Sequence, residues 1–275
     1  MFMKRLKKIV LALVLLPLTI GSITLGYLYF IQEKRVFDFQ PLAENFTYQF
    51  DIPFETFNIQ TTDSTVSGVH LKAQNPKGVV YYLHGKGSNL GHSKWKKIMR
   101  HIVNNLRQDV VMIDYRGFGK SKGVISLEGL LIDAQAGYDY TKTLYPEDQI
   151  TVYGLSLGTS FATYVASKNH PKALILEAPF YSIEDVACST LPFIPPFMIH
   201  AVVKYPLRTD LWIQEVNCPI YIFHGTKDEI IPFDSSIRLA SLAKTPCDLT
   251  IIPDGDHNHL NLTKEYQARI HQILD

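Results

Sequence analysis

Six short apolar runs constrain this chain more than any other feature. Val79–Leu83, Val110–Asp114, Ile150–Tyr153, Ala173–Glu177, Pro219–Phe223 and Leu249–Ile252 are nearly continuous in apolar residues. Strands buried on both faces of a parallel sheet read this way. Helical patterns lie between or after them, over Ser93–Leu106, Leu127–Leu144, Ser156–Asn169, Asp234–Ala243 and Leu260–Leu274. Strand–helix alternation predicts an α/β fold with a mostly parallel sheet. Ahead of this region, Phe54–Gln60 and Val66–Lys72 alternate around Thr61-Thr62-Asp63-Ser64, which signals a hairpin. A chain of 275 residues, 46% hydrophobic, suits one full-size core with a little chain to spare.

The spare chain is N-terminal. Residues 1–8 carry Lys4, Arg5, Lys7 and Lys8, and Ile9–Ile31 then runs 23 residues without a charge. At about 1.5 Å per residue, such a helix spans a hydrocarbon core. The basic cluster favours a cytoplasmic N-terminus, which puts the domain on the far side: periplasm, cell exterior or organelle lumen. A cleaved signal peptide is the rival reading, but its apolar region is usually about 7–15 residues and ends at a small-residue site. Here the run ends in Tyr27-Leu28-Tyr29-Phe30. The expected organisation is a basic segment 1–8, a transmembrane signal anchor 9–31, a juxtamembrane linker 32–50 and one domain over 51–275. Within that domain, residues 180–216 break the alternation and carry Leu191-Pro192-Phe193-Ile194-Pro195-Pro196-Phe197. This stretch is too long for an ordinary connection. It reads as a short cap over the C-terminal sheet edge, or as a surface excursion with no substrate contact. A net charge of +1 gives no bulk attraction to nucleic acid.

Gly154-Leu155-Ser156-Leu157-Gly158 follows one apolar run and opens a helical pattern. Two glycines there let the backbone turn sharply from strand to helix and hold the Ser156 hydroxyl above the sheet edge. An acyl-transfer serine needs a base to take its proton, and the base needs a carboxylate to fix its tautomer. Asp228 follows Phe223-His224-Gly225-Thr226-Lys227, and His257 follows Ile251-Ile252-Pro253-Asp254-Gly255-Asp256. Both fall on loops at the C-terminal sheet edge, where Ser156 also sits and where open α/β sheets bind ligands. Glu229 and His259 are the neighbouring competitors. His84 and His224 each precede a glycine at a strand end, and packing and hydrogen bonding, not catalysis, is the expected role for both.

An oxyanion needs two backbone donors. The N–H of Leu157 is one candidate. The other is the N–H of Lys86, in the turn His84-Gly85-Lys86-Gly87-Ser88. The Lys86 side chain is either solvated or turned toward an acidic substrate. No His, Cys and Asp cluster has zinc-ligand spacing, and this chemistry implies no metal or cofactor. The three cysteines are Cys188, Cys218 and Cys247. If the last two strands pair in register from their ends, Cys218 and Cys247 stand side by side, within reach of a disulfide. Otherwise they are two small buried apolar groups.

Together, Leu83-His84-Gly85, Asp114-Tyr115-Arg116-Gly117-Phe118-Gly119-Lys120-Ser121, the Ser156 pentapeptide, His224-Gly225-Thr226-Lys227-Asp228 and Gly255-Asp256-His257-Asn258 resemble the α/β-hydrolase superfamily. The branch most similar is that of small membrane-associated hydrolases, which includes eukaryotic protein depalmitoylases; Gln32-Glu33-Lys34-Arg35-Val36-Phe37 resembles its juxtamembrane entry. The likeness covers residues 32–275, and serine aminopeptidase-like domains share the scaffold. It implies an eight-stranded, mostly parallel sheet flanked by helices, with a Ser156–Asp228–His257 triad. In that family Asp114–Ser121 is structural and Arg116 braces loops. Lys86 departs from the branch, where an Asn is usual. The implied activity is hydrolysis of an ester or thioester in a small, lipid-like or acylated substrate. A peptidase, an acyltransferase and a non-catalytic membrane-tethered binding module are the alternatives.

Overall fold

The short apolar runs become strands because their side chains alternate between two buried faces. In β3 (Gly78–Leu83), Val79, Tyr81 and Leu83 pack into one core cluster, while Val80 and Tyr82 pack into the other. The computed structural model describes residues 2–92 and 95–275, apart from the side chains at positions 2, 10, 12, 14, 17 and 18. In chain order the main elements are α1 (Phe2–Val36), β1 (Phe54–Gln60), β2 (Thr65–Leu71), β3, α2 (Lys96–Asn104), β4 (Gln108–Ile113) and α3 (Leu127–Leu144). There follow β5 (Ile150–Leu155), α4 (Leu157–Lys168), β6 (Ala173–Glu177), α5 (Ile183–Thr190), α6 (Pro196–Val202) and α7 (Thr209–Trp212). The chain ends with β7 (Ile220–Gly225), α8 (Asp234–Leu242), β8 (Cys247–Ile252) and α9 (Lys264–Leu274). The helix expected from Ser93 begins at Lys96; Ser93 and Lys94 lie outside the described residues.

Among the described residues, eight strands form one sheet in the order β1-β2-β4-β3-β5-β6-β7-β8. The β1–β2 hairpin is antiparallel, β2 pairs antiparallel with β4, and β3 to β8 run parallel. Residues of α3, α4 and α8 pack on one face of the sheet, and residues of α2 and α9 on the other. The crossovers leave β3 and β5 in opposite directions, so the crevice at their C-terminal ends is a topological switch point. The turn after β3 and the Ser156 pentapeptide after β5 face each other there.

Residues 180–216 form α5, α6 and α7. The segment leaves from the end of β6 and returns against α4, where Thr209 Oγ1 donates to Ser160 Oγ at 3.0 Å. The segment 32–50 is held against the domain. Gln32–Val36 continue α1, Phe37 is fully buried, and the Gly119 N–H donates to the Gln40 carbonyl at 3.0 Å. Among the described residues no helix is long and apolar enough to cross a membrane. The run Ile9–Ile31, expected to do so, passes through positions 10, 12, 14, 17 and 18, whose side chains lie outside the described residues. Met1 of the basic segment also lies outside them.

The register of β7 against β8 decides between the two cysteine readings, in favour of unpaired apolar groups. Cys247 stands opposite Ile220, two residues beyond Cys218, and all three cysteines are free thiols. Burial pushes the Cys218 thiol up to about 12 and the Cys247 thiol up to about 11, so both are poor nucleophiles at neutral pH.

Arg116 is a brace. Its guanidinium is fully buried and binds Asp133 of α3 through Nε and Nη2, each at 2.9 Å, while Nη1 reaches Asp63 at 3.0 Å in the hairpin turn. Removing one partner of a buried pair leaves an uncompensated charge. Asp133→Ala is therefore expected to cost about 3–5 kcal/mol of stability. Denaturant unfolding of the detergent-solubilised chain measures it.

Candidate active site

The pentapeptide is squeezed between neighbours, and this is why both glycines stand in it. A Cβ on Gly158 would lie 2.0 Å from the Leu83 carbonyl oxygen, and one on Gly154 would lie 2.5 Å from that of Gly158. Between them Ser156 adopts φ 51° and ψ −116°, a conformation that costs a non-glycine residue of order 1–3 kcal/mol. The Ser156 N–H donates to the Glu177 carbonyl at 2.9 Å, and the Thr159 N–H donates to the Ser156 carbonyl at 2.9 Å. These bonds pin the turn at both ends.

Ser156, His257 and Asp228 come together across 101 and 29 residues of chain. His257 Nε2 lies 2.9 Å from Ser156 Oγ, and His257 Nδ1 lies 2.7 Å from Asp228 Oδ2. The Asp228 side chain is fully buried. Its other oxygen accepts the N–H groups of Ile230 and Ile231 at 2.9 and 2.8 Å. Burial alone would raise its pKa. Hydrogen bonds from His224 and His257, the charge on His257 and the Ile231 N–H outweigh burial and hold the carboxyl well below the usual carboxylate range. Asp228 is thus a fixed anion behind the imidazole.

The competitors lie elsewhere. His259 turns to Asp256, with Nδ1 2.9 Å from Oδ2 at the exposed rim, and Glu229 is exposed. His224 packs and hydrogen-bonds, as its place at the strand end implies, and one of its partners is the Asp228 carboxylate. It is fully buried, with Nδ1 2.6 Å from Ser236 Oγ and Nε2 3.2 Å from Asp228 Oδ2. It therefore orients the carboxylate that orients His257. The signal lay in the spacing: His224 and Asp228 are four residues apart across a turn that folds back on itself.

The turn after β3 lies directly on the serine. A Cβ on Gly85 would sit 3.4 Å from Ser156 Cβ. His84 beneath it is buried, with Nδ1 2.9 Å from the Gly85 carbonyl and Nε2 3.5 Å from Asp114 Oδ1. Asp114 also accepts the Leu90 N–H at 3.0 Å, which anchors the far side of the turn. Across the crevice, the N–H of Leu157 opens α4, and the first N–H groups of a helix lack an intrahelical acceptor. The side chain of Lys86 does not face the serine. Its Nζ donates to the Arg35 carbonyl at 2.6 Å, at the end of α1, where a cation complements the helix dipole. A second bond, from the Gly87 N–H to the Phe37 carbonyl at 3.0 Å, ties the same turn to the same segment.

Among the cap's own residues lies a cavity of about 520 Å³ that includes none of Ser156, His257 and Asp228. Its charges are already matched: Arg208 binds Asp210 at 2.6 Å, and His200 lies 3.4 Å from Glu184. Among the described residues no three His, Cys, Asp or Glu side chains are placed to hold a metal ion.

A family model for serine aminopeptidase, S33, matches residues 74–211. Protein bem46 of Schizosaccharomyces pombe is 30% identical over 244 residues, covering 82% of this chain and 79% of that protein. The chain belongs to the α/β-hydrolase superfamily. Lysophosphatidylserine lipase ABHD12 of Danio rerio is 30% identical to this hydrolase over 243 residues, 78% of this chain and 63% of that protein. The chain thus spans under two thirds of that relative's length. The sheet and its flanking helices match the esterase Pf2001 of Pyrococcus furiosus with a TM-score of 0.67 at 18% identity, over 86% of this chain and 96% of that one. Est1E of Butyrivibrio proteoclasticus, solved with ferulic acid, matches with a TM-score of 0.62 at 18% identity, over 80% and 100% of the two chains.

Proposed function

We propose that this α/β-hydrolase is a membrane-anchored serine hydrolase that cleaves carboxylic ester or thioester bonds through an acyl-enzyme on Ser156. The observation that carries the reading is the Ser156–His257–Asp228 relay, at 2.9 and 2.7 Å. Ser156 Oγ attacks the acyl carbon while His257 Nε2 takes its proton. The N–H groups of Leu157 and Lys86 stabilise the oxyanion. The tetrahedral intermediate collapses, and His257 returns the proton to the leaving alkoxide or thiolate. Water then attacks the acyl-enzyme with His257 again as base, releasing the acid and restoring Ser156. Asp228 keeps the Nδ1 proton on the imidazole and balances the transient imidazolium.

Anchoring is supported by the uncharged run Ile9–Ile31, which lies in one helix. At 1.5 Å per residue the run is about 34 Å long, against about 30 Å of hydrocarbon. Leu11, Leu13, Leu16, Ile20, Ile23 and Phe30 are exposed along it. Four basic residues precede the run, which supports a cytoplasmic N-terminus with the domain across the membrane.

The lysophospholipid lipase among the relatives favours a single-chain lipid ester as substrate. The serine aminopeptidase family model favours a second reading, cleavage of an amide. Turnover of p-nitrophenyl esters of increasing chain length, lysophospholipids and aminoacyl p-nitroanilides by the full chain in mixed micelles separates the two. Ester turnover that exceeds anilide turnover, with a preference for longer chains, is the expected outcome. Anilide turnover exceeding all esters would establish the peptidase.

A further inference from the structure

The tip of the cap is apolar and uncovered. From Val186 to Val203 the chain has no Lys, Arg, Asp or Glu. Phe193 and Phe197 are 96% and 72% exposed. Apart from the N–H groups of Phe193 and Phe197, the backbone donors of the tip are paired or absent. Pro192, Pro195 and Pro196 have no N–H to satisfy. The N–H groups of Leu191, Ile194 and Met198 donate to the carbonyls of Ala187, Leu191 and Pro195 at 2.9, 3.0 and 2.9 Å. Water would satisfy such groups at no cost, whereas hydrocarbon demands that they be paired or absent.

The tip lies beside α1. Gln32 grips the returning strand of the cap: its Nε2 donates to the Val202 carbonyl at 3.0 Å, and its Oε1 accepts the Lys204 N–H at 2.7 Å. A Cβ on Gly21 would lie 3.7 Å from Met198 Cε. The cap therefore runs along α1 from Gln32 toward Gly21, a distance of about 16 Å on the helix axis. Polar groups gather at the Gln32 end. Lys204 Nζ lies 4.1 Å from the Tyr29 ring centre and 3.6 Å from Glu33, and Tyr205 donates to Glu33 at 2.8 Å. Tyrosines beside charges mark the height of a membrane interface.

We infer that the segment Leu191–Phe197 enters the leaflet that surrounds the C-terminal half of α1, with lipid acyl chains as its occupant and Phe193 and Phe197 as the contacts. The inference rests on the anchoring of residues 9–31 proposed above and extends it. The chain has a second, monotopic contact with the bilayer. The Lys86 and Gly87 bonds fix the turn beside Ser156 to the end of α1, so the catalytic edge lies at the interface end of that helix.

The test uses the full chain in phosphatidylcholine vesicles, with or without bromine on the lipid chains. Phe193→Trp and Phe197→Trp place reporters at the tip. Leu144→Trp places one at the end of α3, on the sheet edge opposite Ser156, and the native Trp95 and Trp212 are subtracted using wild type. Tip reporters quenched about twofold or more beyond Leu144→Trp support the inference, as expected for a side chain seated among acyl chains. Vesicle flotation of the chain separates the two claims. A chain that floats but shows equal quenching at Phe193→Trp, Phe197→Trp and Leu144→Trp overturns the cap contact alone. A chain that fails to float overturns the anchor and the cap contact together. A blue shift at the tip that grows with protein concentration and ignores bromine assigns the face to a second copy and overturns the inference.

Discussion

Ser156→Ala is expected to lower kcat/KM toward the best ester by about 10⁴- to 10⁶-fold. The reason is local. Ser156 Oγ is the group 2.9 Å from His257 Nε2, and a methyl group has no proton to give and no oxygen to acylate. The fold should tolerate the change, because alanine at φ 51° carries the same backbone strain as serine and fills less space. Steady-state kinetics and a thermal melt on the same preparation check both halves. What activity remains would come from the proposed Leu157 and Lys86 N–H donors acting on attack by water. Loss of turnover together with loss of folding would instead make Ser156 a structural residue.

The second large effect is expected at Asp228. Asp228→Asn should lower kcat by about 10⁴-fold. The amide keeps the shape of the site but presents N–H where His257 Nδ1 now meets an oxygen at 2.7 Å. The imidazole then carries its proton on Nε2 and cannot accept one from Ser156. The substitution also sets an amide beside the His224 Nε2, 3.2 Å away. Stability changes in a pH-dependent way with a defined sign. The Asp228 carboxyl is held low in the folded chain. Its contribution is therefore fully present above the unfolded value near pH 3.9 and is lost as the pH falls through the folded value. The stability gap between wild type and Asp228→Asn should close as the pH falls below about 4. Urea unfolding across a pH series measures it, and a gap that widens in acid would show that the carboxyl is not held low.

Sequence alone locates the parallel strands well, because a run of four or five apolar residues bounded by turn signals is too short for a buried helix. Ala173–Glu177 is a strand from end to end as read. The edge strand is harder. Asp248 and Thr250 interrupt the apolar pattern of β8, which begins at Cys247 rather than Leu249, because an edge strand is only half covered. The cysteine register fails for a related reason. Gly225 still belongs to β7, whereas β8 ends at Ile252, before Pro253, and these pair as Gly225 with Ile252. Counting six residues back from His224 and Pro253 as the strand ends sets Cys218 level with Cys247; each end is one residue off, in opposite directions, so the true register differs by two.

That Ser156, Asp228 and His257 meet is legible because each lies within five residues after an apolar run, and topology puts the ends of those runs on one edge. The surroundings are not. That His224 turns onto Asp228 depends on which side of β7 it faces and on how the next turn folds back. That Lys86 caps α1 depends on a carbonyl 51 residues away. Neither is a local property of the chain.

The most direct test of the central claim is covalent. The full chain in detergent would be treated with a fluorophosphonate, digested and mapped by mass spectrometry, with His257→Ala alongside. The relay predicts one phosphonyl adduct, on Ser156, that forms in wild type and is lost when His257 is replaced. A well-folded wild type that takes no label, or takes it elsewhere, would contradict it.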